Sequence, residues 1–134
     1  MTAKIGLALL IDDNHIDQRQ YVRVLKRSGL IGEVMTFTYA DSALAHLRAN
    51  PDLEVDVIFL DINMPRMNGF EFLEAATSEL GEGFAKVVVA MLTTSLNPGD
   101  HARARSFSVV KEFISKPLTS DHVEAVSAHF SDEC

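Results

Sequence analysis

Whatever chemistry this sequence has is carried by a small set of polar residues, each closing a run that reads as a strand. Asp12 and Asp13 follow the run that ends at Ile11, and Asp61 follows Val55–Leu60. Thr93 and Thr94 follow Val87–Leu92, and Lys116-Pro117 follows Lys111–Ser115. If these runs are parallel strands, one edge of a sheet gathers three carboxylates, a hydroxyl and an ammonium. Three neighbouring carboxylates cannot all stay ionised without a counter-charge. A divalent cation with oxygen ligands, Mg2+ or Mn2+, supplies one while keeping some of its waters. Lys116 adds more positive charge than a metal site needs, so it suits a second anion arriving at the same place.

Those residues need strands beneath them, and the pattern offers five, each followed by a helix. Lys4–Ile11 is an apolar run, and Asp17–Ser28 has Tyr21, Val22 and Leu25 at helical spacing with Gly29 as its stop. Glu33–Tyr39 alternates and holds the β-formers Val34 and Phe37; Asp41 is the expected cap of a helix carrying Ala43, Leu44 and Leu47, closed by Asn50-Pro51. Val55–Leu60, Val87–Leu92 and Lys111–Ser115 read as the third, fourth and fifth strands. Gly69–Leu80 is a helix with Phe70, Phe72, Leu73 and Ala76 on its apolar face. Asn97-Pro98-Gly99-Asp100 turns into a short helix through Arg105, and Ser120–Phe130 is the fifth helix, with Thr119 to Asp121 available as its cap. Strands one, three and four are largely apolar on both faces, as parallel strands covered by helices must be. The alternation implies an α/β fold: a doubly wound, five-stranded parallel sheet with helices on both faces and right-handed crossovers. Its functional crevice lies at the carboxyl ends of the strands, where the polar set falls.

Composition narrows the function further. The chain has 134 residues, of which 47% are hydrophobic, too many for a disordered protein and enough for one core. A formal charge of −7 works against non-specific binding to nucleic acid or to an anionic membrane. Arg103 and Arg105 are too few for a nucleic-acid footprint. The apolar run Ile5–Ile11 is too short to span a bilayer and lacks a small-residue cleavage site. Cys134 is the only cysteine, so no intrachain disulfide forms and a reducing compartment, the cytoplasm, is expected. With no linker or repeat, residues 1–134 are expected to form one domain with no effector domain attached.

The set Asp12-Asp13, Asp61-Ile62-Asn63-Met64-Pro65, Met67-Asn68-Gly69, Thr93 and Lys116-Pro117 resembles the receiver domain of two-component response regulators. Each element alone is common by chance; their joint occurrence at four strand ends is specific, and it covers essentially the whole chain. The resemblance implies a flavodoxin-like strand order, 2-1-3-4-5, and a single-domain response regulator. It implies that Asp61 is the phosphoacceptor and that Asp13, Asp61 and the Asn63 carbonyl ligate Mg2+, with Asp12 acting through a metal-bound water. It implies that Thr93 donates to one phosphoryl oxygen, that Lys116 pairs with another, and that the Lys116–Pro117 bond is cis. Phosphorylation would draw the Thr93 hydroxyl inward and let the Phe113 ring take the vacated space, reshaping Ser95–Phe113. The implied partners are a histidine kinase or histidine phosphotransfer protein, and an unknown output protein. A second copy of the chain, bound through the face of the fourth helix, fifth strand and fifth helix, is the other possibility. No nucleic acid and no membrane are implied.

Blander readings stand beside these. Strand-end Asp residues often only cap helices, Thr93 can simply satisfy a strand end, and a Phe on a short strand is most often packing. The agreement of Asp12, Asp13, Asp61 and Lys116 outweighs the first two; Phe113 stays open. His15, His46, His101, His122 and His129 show no i,i+4 pair and no neighbouring Cys, so a zinc site is not expected. Arg23, Lys26 and Arg27 form a solvated basic face on the first helix, where kinases dock in the family. Thr94 stands where many receivers carry a smaller residue. An aspartate-nucleophile phosphatase of the haloacid-dehalogenase type would need an acid at Asn63, and an amide does no acid–base work there. A flavodoxin-like phosphate binder would not follow its first strand with two carboxylates.

Overall fold

The computed structural model describes residues 5–94 and 97–130; Lys4, Ser95 and Cys134 lie outside the described residues. Strand β1 (Ile5–Ile11) pairs in parallel with β2 (Ile31–Phe37) on one side and β3 (Val57–Asp61) on the other. Beyond β3 come β4 (Val88–Thr93) and β5 (Val110–Ser115), also parallel. The order is β2-β1-β3-β4-β5, the doubly wound order expected. Because every strand points the same way, all five carboxyl ends share one edge, and that is where Asp12, Asp13, Asp61, Thr93 and Lys116 sit.

Among the described residues six helices cover the sheet: α1 (His15–Arg27), α2 (Ala40–Ala49), α3 (Gly69–Leu80), α4 (Glu82–Ala85), α5 (Pro98–Arg105) and α6 (Ser120–Ser127), the last running into a 3-10 turn at Ala128–Phe130. Alternate side chains of the central strands feed two cores. Leu9, Ile11, Ile58, Leu60, Val89 and Met91 face α2 and α3, together with Phe72 and Leu73. Ala8, Leu10, Val57, Phe59, Ala90 and Leu92 face α1 and α6, together with Tyr21, Leu25 and Val123. Burying strands on both faces is what made their sequences unbroken apolar runs.

Several boundaries differ from the sequence expectation for local reasons. Helix α1 starts two residues before Asp17 because Asn14 caps it, its Oδ1 accepting from the backbone N–H groups of Ile16 and Asp17 at 3.0 Å each. Asp41 is not the cap of α2. The N-cap position is Tyr39, which offers no side-chain bond, and Asp41 lies in the first turn with its carboxylate engaged elsewhere. The turn α4 was not expected; Phe84 in it packs edge-on against Phe72 with ring centroids 6.2 Å apart. Helix α6 is capped by Thr119, whose partner in the capping box is His122, the ring Nδ1 accepting from the Thr119 N–H at 3.0 Å.

Candidate functional site

Each acidic residue of the site is delivered by the end of a strand. Asp12 follows β1 and is fully buried, and its backbone N–H still bonds to Phe37 of β2 at 3.1 Å. Its Oδ1 accepts from the Asn14 N–H at 2.9 Å, which closes the turn into α1. Asp13 is half-buried. Asp61 is the last residue of β3 and only 6% exposed. One carboxylate oxygen from each of Asp12, Asp13 and Asp61 lies within 4.8 Å of the others.

Lys116 enters from the far side of the sheet. Its backbone N–H donates to the Thr93 carbonyl at 2.8 Å, fixing the β5 end against the β4 end. The peptide bond to Pro117 is cis, as the resemblance implied. The ammonium donates to Asp12 Oδ2 at 3.0 Å and to Asp17 Oδ2 at 3.2 Å, and stands 3.6 Å from Asp61 Oδ1. It also sits 5.8 Å from the Tyr21 ring centre. Thr93 is buried at the end of β4, while Thr94 and Asn63 are exposed. Phe113 is half-buried on β5, and the His101 ring of α5 meets it edge-on with centroids 4.3 Å apart.

The electrostatics follow from this crowding. Burial, then the charges of Asp12 and Asp13, push the Asp61 carboxyl up from 3.8 to about 7; Lys116 and the Asn63 backbone N–H offset only part of that. Burial likewise raises Asp12, against the pull of the Asn14 N–H and Lys116. Burial by itself would lower Lys116, yet the hydrogen bond it donates to Asp12 and the charge of Asp61 hold it above the usual lysine range. One ammonium therefore does not neutralise the cluster.

A small divalent ion fits that deficit. Asp12, Asp13 and Asp61 would each offer such an ion a carboxylate oxygen, the donor type that Mg2+ prefers, and the three oxygens already lie within 4.8 Å of one another.

The sequence reading missed Asp17 and Gln18. Asp17 shares the ammonium, and the Gln18 side-chain amide donates to the Asp12 carbonyl at 3.1 Å. Asp17 lies in the first turn of α1, so recognising Asn14 as the cap would have put it next to the end of β1.

Residues 8–127 match the family model described as the response regulator receiver domain. The chain is 30% identical over 123 residues to hybrid signal transduction histidine kinase L of Dictyostelium discoideum, covering 91% of this chain and 7% of that protein. It is 30% identical over 112 residues to two-component response regulator 24 of Arabidopsis thaliana, covering 84% of this chain and 74% of that one. The structure superposes with a TM-score of 0.88 on a two-component response regulator from Cytophaga hutchinsonii at 27% identity, covering 94% and 96% of the two chains. The chain thus spans under a tenth of the Dictyostelium kinase that it matches, but nearly the whole of the Cytophaga protein.

Proposed function

We propose that this chain, which belongs to the response regulator receiver family, takes a phosphoryl group onto Asp61 from a histidine kinase or histidine phosphotransfer protein. The observation that carries the reading is the placement of Asp61 among Asp12, Asp13 and Lys116 at the one edge where all the strands end. An Asp61 carboxylate oxygen attacks phosphorus, and the O–P bond forms as the donor's P–N bond breaks; the bonding pair returns to that ring nitrogen, and the ring, protonated on its other nitrogen beforehand, leaves as neutral imidazole.

Asp12, Asp13, Asp61 and the Asn63 carbonyl would hold Mg2+ or Mn2+, which when bound spreads the negative charge of the phosphoryl oxygens. The protein's own groups do the rest. Asp12 and Asp17 keep Lys116 aimed at Asp61, and Lys116 pairs with an arriving phosphoryl oxygen. Thr93, buried at the end of β4, is the hydroxyl that would donate to another.

In this reading residues 1–134 act as a single receiver module in the cytoplasm and signal by protein contact or onward phosphotransfer. The described strands form one five-stranded sheet with a core on each face, and no described helix is long and apolar enough to cross a membrane. The output face is α5, β5 and α6, where Phe113 would act with Thr93 as the switch and where a partner protein or second copy binds.

The test is acetyl phosphate with Mg2+, followed by intact mass. The wild type should gain one labile phosphoryl group that chelation prevents, and Asp61→Asn should gain none. Equal modification of the two would rule out Asp61. Phosphotransfer profiling against a panel of histidine kinases then identifies the donor.

A further inference from the structure

The loop between β3 and α3 holds a strained residue that the chemistry above does not use. Arg66 has a φ of 73°, the only positive value at a non-glycine position among the described residues. Across it the Met67 N–H donates to the Pro65 carbonyl at 2.8 Å. That is a γ-turn with positive φ at its centre, the rarer and more strained of the two forms. Glycine takes such a backbone freely and arginine does not, so the conformation persists only where its surroundings over-determine it.

The surroundings are specific. Arg66 donates to Asp41 Oδ2 through Nε at 3.1 Å and Nη2 at 2.6 Å. Its guanidinium lies 4.3 Å over the centre of the Tyr39 ring. The hydrogen bond from Arg66 holds the Asp41 carboxyl below its ordinary range. Tyr39 and Asp41 begin α2, so one side chain ties the loop after Asp61 to a helix that follows β2.

The loop is pinned at its neck by the Gly69 N–H on the Ile62 carbonyl at 2.8 Å, and Met64 and Met67 anchor its apolar side in the core. Its polar tip is held by Arg66. Asn63 lies between neck and tip, and its N–H bonds the Asp61 carboxylate.

We propose that Arg66 is a positioning residue whose clamp on Asp41 and Tyr39 sets the loop in advance in the shape that presents the Asn63 carbonyl to a divalent cation. The inference rests on the metal-assisted reading above. Its physical content is preorganisation: a loop already ordered loses no freedom when the ion binds.

The test is an Mg2+ titration of the full chain, followed by the amide NMR shifts of Asp13 and Asn63. Arg66→Ala should weaken Mg2+ binding about three- to tenfold, less than the roughly ten- to hundredfold typical of a group bonded directly to a metal ligand, because Arg66 acts through the loop. The rate of phosphorylation by acetyl phosphate at saturating Mg2+ should stay close to wild type. Asp41→Asn should reproduce the weakening, the double variant should be no weaker than either single one, and Arg66→Lys should recover part of it. Arg66→Gly relieves the backbone but lacks the clamp, and should still bind Mg2+ less tightly than wild type. Unchanged Mg2+ affinity in Arg66→Ala or Asp41→Asn, with the wild type responding normally, overturns the clamp and leaves the phosphoacceptor reading standing. A wild type that shows no Mg2+ response overturns both.

Discussion

Replacing Asp61 by Asn should stabilise the metal-free protein, although it removes the proposed phosphoacceptor. In the folded state the carboxyl titrates at about 7 instead of 3.8. Ionising it above pH 7 therefore costs up to about 4 kcal/mol relative to an ordinary carboxylate, and about 2–4 kcal/mol once relaxation and water entry are allowed for. The cause is burial first and the charges of Asp12 and Asp13 next. An amide of nearly the same shape removes that charge, while Lys116 keeps Asp12 and Asp17 as partners.

The sign of the pH dependence follows directly. Between about pH 4 and pH 7 the folded state binds more protons at this site than the unfolded state, so wild-type stability falls as pH rises through that window. The contribution is fully present below 3.8 and lost above about 7. Urea unfolding in EDTA should show the two proteins nearly equal at about pH 4 and the variant ahead at about pH 8, by roughly 1–2 M in midpoint. Millimolar Mg2+ should then narrow the gap, because a ligand of the folded state stabilises the protein that binds it more tightly. A variant less stable than wild type at about pH 8 without metal, or a gap that does not change with pH, would refute the reasoning.

Three other substitutions and one ligand test the same construction. Lys116→Met leaves Asp12, Asp17 and Asp61 facing one another and should slow acetyl-phosphate phosphorylation about tenfold or more, read by intact mass over time. A Cβ on Gly69 would lie 2.7 Å from the Asp61 carbonyl oxygen and 3.1 Å from Met91 Cε, so Gly69→Ala should cost about 1–3 kcal/mol in denaturant unfolding and disturb the site beside it. Asn14→Ala removes the acceptor for two N–H groups at the start of α1, with an expected loss of about 1 kcal/mol by the same assay. Beryllofluoride with Mg2+ should alter hydrogen exchange in residues 97–113 as well as near Asp61; a change confined to Asp13 and Asp61 would remove Thr93 and Phe113 as the route to the output face.

Local pattern determined much of this protein. Unbroken apolar runs placed β1, β3 and β4 and put a carboxylate or hydroxyl at the end of each, and helical spacing bounded α3 at Gly69–Leu80 as observed. Such signals depend only on neighbours along the chain, which is why they survive in a bare sequence. The strand order came from resemblance, because nothing local says which strand lies beside which.

Tertiary structure alone decided the pairings across the sheet edge. Lys116 reaches an Asp12 that lies 104 positions away, shares its ammonium with Asp17, and leaves Asp61 with more negative charge than it neutralises. The same holds for Arg66, whose left-handed backbone and hold on Asp41 and Tyr39 depend on α2 lying beside the loop. A side chain's protonation and a turn's strain are set by the distances and burial of groups remote in sequence, and those exist only once the chain is packed.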